Sequence, residues 1–236
     1  MIGINRFVKG VVLAAATIAL GGHGLQAQGI SVSAAAEAAG DDVYVLFSEL
    51  GWAAAGRGIR PVASLGGYLV FTEGDDSWGV TPAGGLRYAT SSGFIQGQVG
   101  WAFREESGTP FFGGGDSGFH TSLHTEFWGD VFSAQGIASY NWGGDYLWSR
   151  GRVARRMGTL ANGGSWGLGA ELVYQAEAEE RLPGVDGFSA TQIGPVLQWT
   201  PREGGPSMAF GGGWKRTEFG DTSDSSWYLR GEIYIP

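Results

Sequence analysis

A short polar segment near the middle of the 236-residue chain holds the side chains best suited to chemistry. In Phe119–Phe127 (FHTSLHTEF), alternate positions are polar, and alternate side chains of a β-strand share one face. That face would carry His120, Ser122, His124 and Glu126. A serine with a histidine and a carboxylate could form a hydrolytic site, and two histidines with a carboxylate could hold a metal ion.

The spacing of these residues argues against both kinds of site. Neighbours on one face of a strand lie about 6.5–7 Å apart, beyond a direct hydrogen bond between nucleophile and base unless the side chains lean together. The other interpretation is a ladder of polar side chains that packs an interior. We therefore keep Ser122, His120, His124 and Glu126 as catalytic candidates only, and expect a non-enzymatic protein without metal or cofactor.

A second set of charged residues recurs at alternate positions of several segments. Arg150 and Arg152 share a predicted face with Tyr146 and Trp148. The set could line a path for anions or sugars, or form an internal network of ion pairs, because a buried unpaired ion costs several kcal/mol. We predict the network, composed of Arg87, Arg104, Glu126, Arg150, Arg152, Glu171, Arg230 and Glu232.

The composition indicates which elements must position these residues. Glycine accounts for 44 of 236 residues, or about 19%, against a usual share of roughly 7%. Glycine costs roughly 1 kcal/mol per helical position relative to alanine, which disfavours a helical protein. A hydrophobic content of 43% disfavours disorder, and the absence of cysteine excludes disulfides and thiolate metal sites.

Beyond residue 42 the chain divides into eleven segments with period-two alternation, separated by Gly, Asp, Ser and Pro turns. In one of them Ile95, Val99 and Trp101 oppose Gln96 and Gln98. A weak further strand at Gly29–Ala36 would make the number even, as is usual for bacterial barrels. The eleven segments lie near 43–53, 60–73, 78–90, 93–104, 119–129, 131–143, 145–157, 165–176, 188–200, 207–217 and 226–235.

The two strand faces and the connections predict a membrane barrel. One face is apolar, whereas the other is rich in Gly, Ala, Ser and Gln, as expected for lipid outside and a small polar lumen inside. The longer connections, near 105–118, 177–187 and 218–225, fall at the same end of the sheet. Eight tryptophans lie near segment ends, as in an interfacial girdle: Trp52, Trp78, Trp128, Trp142, Trp166, Trp199, Trp214 and Trp227. We therefore predict an all-β, antiparallel up-and-down transmembrane β-barrel of 10–12 strands, twelve preferred, over residues 43–236, with 28–42 as an N-terminal segment.

Residues 1–27 are typical of a secretory signal peptide. Arg6 and Lys9 form a positive start, and Gly10–Leu20 is apolar but too short to span a bilayer. Without these residues the chain keeps 13 of its 15 basic residues against 23 acidic ones, a net charge of −10. That charge disfavours nucleic acid as a partner. We expect the protein in the bacterial outer membrane, in contact with its lipid.

Three stretches resemble a known family: Thr125–Trp128 (TEFW), Ser133–Tyr140 (SAQGIASY) and Asp145–Arg152 (DYLWSRGR). They are similar to small outer-membrane barrels found with bacterial cellulose-synthesis operons, the BcsS-type family. The resemblance covers about half of the chain and supplies no catalytic residues. It implies an accessory role in export or anchoring of an exopolysaccharide such as cellulose, with polysaccharide or envelope secretion machinery as partners.

Three classes of function follow from the sequence. The first is a structural, channel or accessory barrel, which we prefer. The second is an outer-membrane hydrolase that modifies lipid through Ser122 and His124. The third is a secreted carbohydrate-binding β protein that uses exposed tryptophans.

Overall fold

The computed structural model describes residues 29–40, 43–71, 76–104, 117–177, 187–202 and 205–236, which form a closed antiparallel barrel. Each strand pairs with its neighbours in sequence, and the first strand pairs with the last. The predicted up-and-down barrel and the preferred count of twelve strands are confirmed. The strands are β1 Ile30–Ala39, β2 Tyr44–Ala53, β3 Gly58–Phe71, β4 Asp76–Ala89, β5 Gly93–Arg104, β6 Gly118–Trp128, β7 Phe132–Asn141, β8 Tyr146–Thr159, β9 Gly163–Glu177, β10 Phe188–Arg202, β11 Ser207–Phe219 and β12 Thr222–Ile235.

The weakest predicted strand closes the barrel. β1 contains five alanines, which favour helix in isolation. It nevertheless pairs with β12 from Val32 to Ala39 and with β2 from Ile30 to Ala38, so both of its edges are hydrogen-bonded. Pairing on both sides outweighs the local propensity, because without β1 the edges of β2 and β12 would be unpaired. The predicted signal peptide, residues 1–27, lies outside the described residues.

The two ends of the barrel differ in their connections. We call the end at which β5 is followed by β6 the loop end, and the opposite end, where β12 finishes, the turn end. The connections near 105–118 and 177–187 both fall at the loop end, as the strand order requires. The predicted long connection at 218–225 is wrong: Phe219 pairs with Thr222, and only residues 220–221 form the turn. The polar Ser and Thr residues there extend the β11–β12 ladder beyond the apolar part of the strands.

The outward face of the barrel is apolar. All eight tryptophans predicted for the girdle are at least 39% exposed. Six of them lie near an end of a strand, whereas Trp214 and Trp227, which pair with each other, lie in the middle part of β11 and β12. Between the two ends the outward side chains are mainly aliphatic, and they include Leu65, Val99, Leu123, Val153, Leu172 and Ile193. The strands have 10 to 15 residues, and a tilted strand needs about 9–11 to cross a bilayer. This is an outer-membrane-type barrel fold. In the described part of the chain there is no helix long and apolar enough to cross a membrane.

Two prolines loosen the ladders without shifting the register. β4 pairs with β5 at Val80 and again at Ala83, so the pairing skips Pro82 and its neighbour Thr81. β10 pairs with β11 at Ile193 and again at Val196, so the pairing skips Pro195 and its neighbour Gly194. The register is the same on both sides of each gap, because proline removes only the N–H donor.

Several glycines in the barrel wall are required by close approach of the neighbouring strand. At Gly169 of β9 an added Cβ would lie 1.9 Å from the carbonyl oxygen of Val153, whereas at Gly151 of β8 it would meet no atom within 4 Å. We expect Gly169→Ala to lower the free energy of unfolding by about 1–3 kcal/mol, because β8 and β9 must separate. Gly151→Ala is the matched control, with an expected change within about 0.5 kcal/mol. Urea unfolding in detergent micelles measures both, and equal effects would contradict the account.

Candidate functional site

Six charged side chains meet inside the barrel and pair with one another. Arg150 binds both carboxylate oxygens of Glu232, at 2.9 and 3.1 Å. Arg152 joins Glu232 to Glu171, at 2.8 and 3.0 Å. Arg230 joins Glu171 to Glu37: its Nη1 donates to Glu171 at 2.9 Å, and its Nε donates to Oε2 of Glu37 at 3.0 Å. We call this group the lumen network; it contains Glu37 of β1, Arg150 and Arg152 of β8, Glu171 of β9, and Arg230 and Glu232 of β12.

The lumen network balances its own charge, with three arginines and three glutamates. Glu171 is 1% exposed and Arg230 5%, so these ions are removed from bulk water. Burial of ions is tolerated when each is paired and hydrogen-bonded, and here each carboxylate contacts at least one guanidinium. The network therefore links β8 and β9 on one side to β12 and β1 on the other.

The structure brings together five of the eight charged residues predicted from sequence, namely Arg150, Arg152, Glu171, Arg230 and Glu232. Glu37 and Gln192 are not among the residues predicted from sequence; Gln192 donates to Glu37 and accepts from Arg230 at 3.1 Å. Glu37 is the only charged residue of β1 and lies on the face opposite to Ile30, Val32 and Ala34. Its position opposite Arg230 follows only from the β1–β12 register.

Glu126 is connected to the lumen network through an amide. Gln135 of β7 accepts from Arg150 at 2.6 Å and donates to Glu126 at 2.7 Å. The same oxygen of Glu126 lies 3.1 Å from Nε2 of His124. A continuous polar chain thus runs from β12 across β8 and β7 to β6.

The two remaining predicted charges, Arg87 and Arg104, lie apart from the lumen network. Arg87 donates to Gln96 at 2.7 Å, and its guanidinium lies 4.0 Å from the ring centre of Phe94. Arg104 lies 5.8 Å from the ring centre of Tyr68 and 5.0 Å from that of Tyr146. Both guanidinium groups are therefore held by aromatic faces, and neither forms an ion pair with a described residue.

A cavity of about 1200 Å³ occupies the part of the lumen that the network leaves free. Its wall extends from Val70, Arg104 and Asn141 near the loop end to Gly129 and Thr159 near the turn end. The strands β9, β10 and β11 contribute lining residues only near the turn end, which are Gly163, Ser165, Trp166, Gly167, Gln198, Thr200, Ser207, Met208 and Ala209. Toward the loop end the cavity therefore follows the wall formed by β2 to β8.

The catalytic candidates all line this cavity, but they do not assemble into a triad. The His124 side chain is bound to Glu126, whereas the side chains of Ser122 and His120 make no hydrogen bond to any described residue. In the register, Ser122 pairs with Gln98 and Ser139, and His120 with Gly100 and Asn141. Within the described part of the chain no group of three or more Asp, Glu or His side chains could hold a metal ion. The geometry matches the polar-ladder interpretation better than either chemical site.

Replacing Ser122 by alanine should therefore leave the membrane lipids unchanged. The serine hydroxyl has no base within reach, so we expect the same lipid A profile with wild-type and Ser122→Ala protein, measured by mass spectrometry of extracted lipid. The stability of the variant should change by less than about 0.5 kcal/mol. A lipid species that depends on Ser122, and likewise on His124, would establish the hydrolase instead.

Comparison with known proteins adds a likeness of fold. No protein-family profile matches the chain, and no curated protein matches it significantly. One similar structure comes from work on the in-meso crystallisation of membrane proteins, with a TM-score of 0.48, 12% identity, and coverage of 86% of this chain and 82% of the other. Another is the β-domain of the Bordetella autotransporter BrkA, with a TM-score of 0.46, 14% identity, and coverage of 87% and 97%.

Proposed function

We propose that the protein resides in the bacterial outer membrane and provides a narrow passage for small polar solutes. The observation that carries this proposal is the cavity of about 1200 Å³, whose lining residues come from both ends of the barrel. A lumen network that filled the whole cross-section would make the barrel purely structural. Here it occupies one side, and the free side is lined by polar groups such as Ser64, Gln98 and Glu49.

The outward surface supports the membrane location. Large apolar side chains are exposed on every strand except β1, and six of the eight predicted girdle tryptophans lie near a strand end. A monomeric soluble protein rarely exposes a continuous apolar surface of this kind. The same surface disfavours a secreted carbohydrate-binding protein, since the exposed tryptophans surround the barrel and do not form one binding face.

Cell fractionation tests the location. The full chain, expressed with residues 1–27 in a Gram-negative host, should appear in the outer-membrane fraction and migrate differently on a gel before and after heating. Recovery of the folded protein in the soluble periplasmic fraction would overturn the location.

Solute entry into vesicles tests the passage. Liposomes that contain the refolded barrel should swell faster in arabinose or glucose than in the trisaccharide raffinose, because the lumen network narrows the cross-section. Liposomes without protein give the background rate. The passage is overturned if liposomes with the protein swell no faster than protein-free liposomes in any solute, although the heating test shows that the protein is folded. A structural role would then remain.

A second candidate is an accessory role in exopolysaccharide export or anchoring, which the resemblance to the BcsS-type family implies. The lumen network favours an accessory function over conduction of the polymer itself, since Arg150, Arg152 and Arg230 occupy one side of the lumen and narrow the cross-section that is left free. Deletion of the gene should then reduce polymer retained at the cell surface, measured by dye binding. Unchanged surface polymer in the deletion strain would remove this candidate.

A further inference from the structure

Near the loop end, the cavity wall contains several hydrogen-bond donors without acceptors. Nε and Nη1 of Arg104, Nδ2 of Asn141 and Nε1 of Trp148 are buried and have no hydrogen-bond partner within the described part of the structure. All three residues line the cavity, and Asn141 is 1% exposed. Buried donors are normally satisfied, so a group of four unsatisfied ones calls for an explanation.

The barrel register places these donors together. Asn141 pairs with Tyr146, and Arg104 lies over the Tyr146 ring at 5.0 Å. Trp148 lies two residues beyond Tyr146 on the same strand and therefore on the same face. The donors thus belong to one part of the cavity wall, formed by β5, β7 and β8.

The unsatisfied groups are all donors, and one of them carries a positive charge. Arg104 forms no ion pair with a described residue, in contrast to Arg150, Arg152 and Arg230. A planar guanidinium with two free N–H groups is suited to the oxygens of a carboxylate or phosphate. The aromatic rings of Trp148 and Phe47, whose centres are 6.5 Å apart, add an apolar surface beside the donors. A small ligand with an oxyanion and a compact carbon skeleton fits this combination.

We propose that the loop-end part of the cavity is a binding site for small oxyanionic solutes, such as a sugar acid, with Arg104 as the charged anchor and with Asn141 and Trp148 as neutral donors. This inference rests on the proposed function only in that solutes must reach the lumen. Such a site would make the passage selective for anions over neutral molecules of the same size.

Calorimetric titration of the full chain in detergent micelles tests the site, with glucuronate, glucose and inorganic phosphate as the three probes. Glucuronate should bind at least about tenfold more tightly than glucose, because only the acid satisfies the charged donor. Binding of phosphate as well would show that the oxyanion suffices, whereas binding of glucuronate alone would show that the sugar skeleton contributes. Both results support the proposal.

Arg104→Gln should weaken glucuronate binding at least about tenfold. Its matched control is Arg216→Gln, which removes an arginine that is half-exposed and paired with Glu218 outside the cavity; binding should not change. Trp148→Phe keeps an aromatic ring and removes only the free N–H, and it should weaken glucuronate binding severalfold. This variant tests the site if the Arg104 variant does not fold.

The proposal is overturned if glucose and glucuronate bind equally, if no probe binds, or if both the Arg104 and Trp148 variants bind glucuronate as the wild type does. Failure of the passage is a separate result. If liposomes do not swell while glucuronate still binds in micelles, the passage is wrong and the binding site remains.

Discussion

Replacing Glu171 by glutamine is expected to lower the free energy of unfolding by about 3–5 kcal/mol. Glu171 is the central carboxylate of the lumen network, since it binds both Arg152 and Arg230, and its side chain is fully buried. Glutamine keeps the shape and can still accept hydrogen bonds, but it leaves three arginines with two glutamates. An excess positive charge in a buried network is the main cost. Equilibrium unfolding in urea, followed by tryptophan fluorescence in micelles, measures the difference.

Glu218→Gln is the control for this substitution. Glu218 pairs with Arg216 at 2.9 Å, but both side chains are about half exposed, so water screens the pair. Its loss should cost no more than about 1 kcal/mol. If the two substitutions prove equally mild, the lumen network is well hydrated and does not hold β8 and β9 to β12 and β1.

Replacing Leu123 by arginine should destabilise the barrel by about 2–4 kcal/mol in lipid vesicles. Leu123 lies at the centre of β6, five residues from each end, and points outward with 47% exposure. If the outward face is in lipid, the arginine is then placed near the middle of the bilayer. Unfolding of vesicle-inserted protein by guanidinium, with tryptophan fluorescence as the signal, gives the change.

Leu86→Arg is the matched control, with the same substitution at a different depth. Leu86 is 58% exposed and lies three residues from the turn end of β4, where an arginine can reach the headgroups. Its expected cost is about 0–1 kcal/mol. On a soluble protein both leucines would be surface positions and both substitutions would be mild, so similar small values would argue against membrane insertion.

The architecture was predictable because polar and apolar residues alternate locally along each strand. Residues such as Ile95, Val99 and Trp101 against Gln96 and Gln98 define inward and outward faces without knowledge of any partner. The prediction of a long loop at 218–225 is wrong because the polar residues there do not end the strands. Beyond the apolar belt a hairpin can continue with Thr217 opposite Asp224, since polar side chains are tolerated there on both faces.

The site was only partly predictable, because it depends on register and closure. The charges on β8, β9 and β12 could be assigned to one lumen, but the partner of each could not. Glu37 and Arg230 are separated by 193 positions and meet only because β1 pairs with β12. The free donors of Arg104 and Trp148 are invisible in sequence, since they are defined by acceptors that the folded wall does not supply.

Single-channel recording in planar bilayers tests the central claim, that solutes pass along the side of the lumen that the network leaves free. The wild type should give small, discrete conductance steps. The double variant Arg150→Ser with Glu232→Ser keeps the charge balance and removes two side chains that border the cavity, so its steps should be larger. Absence of steps from both folded proteins, or equal conductance in the two, would contradict the account.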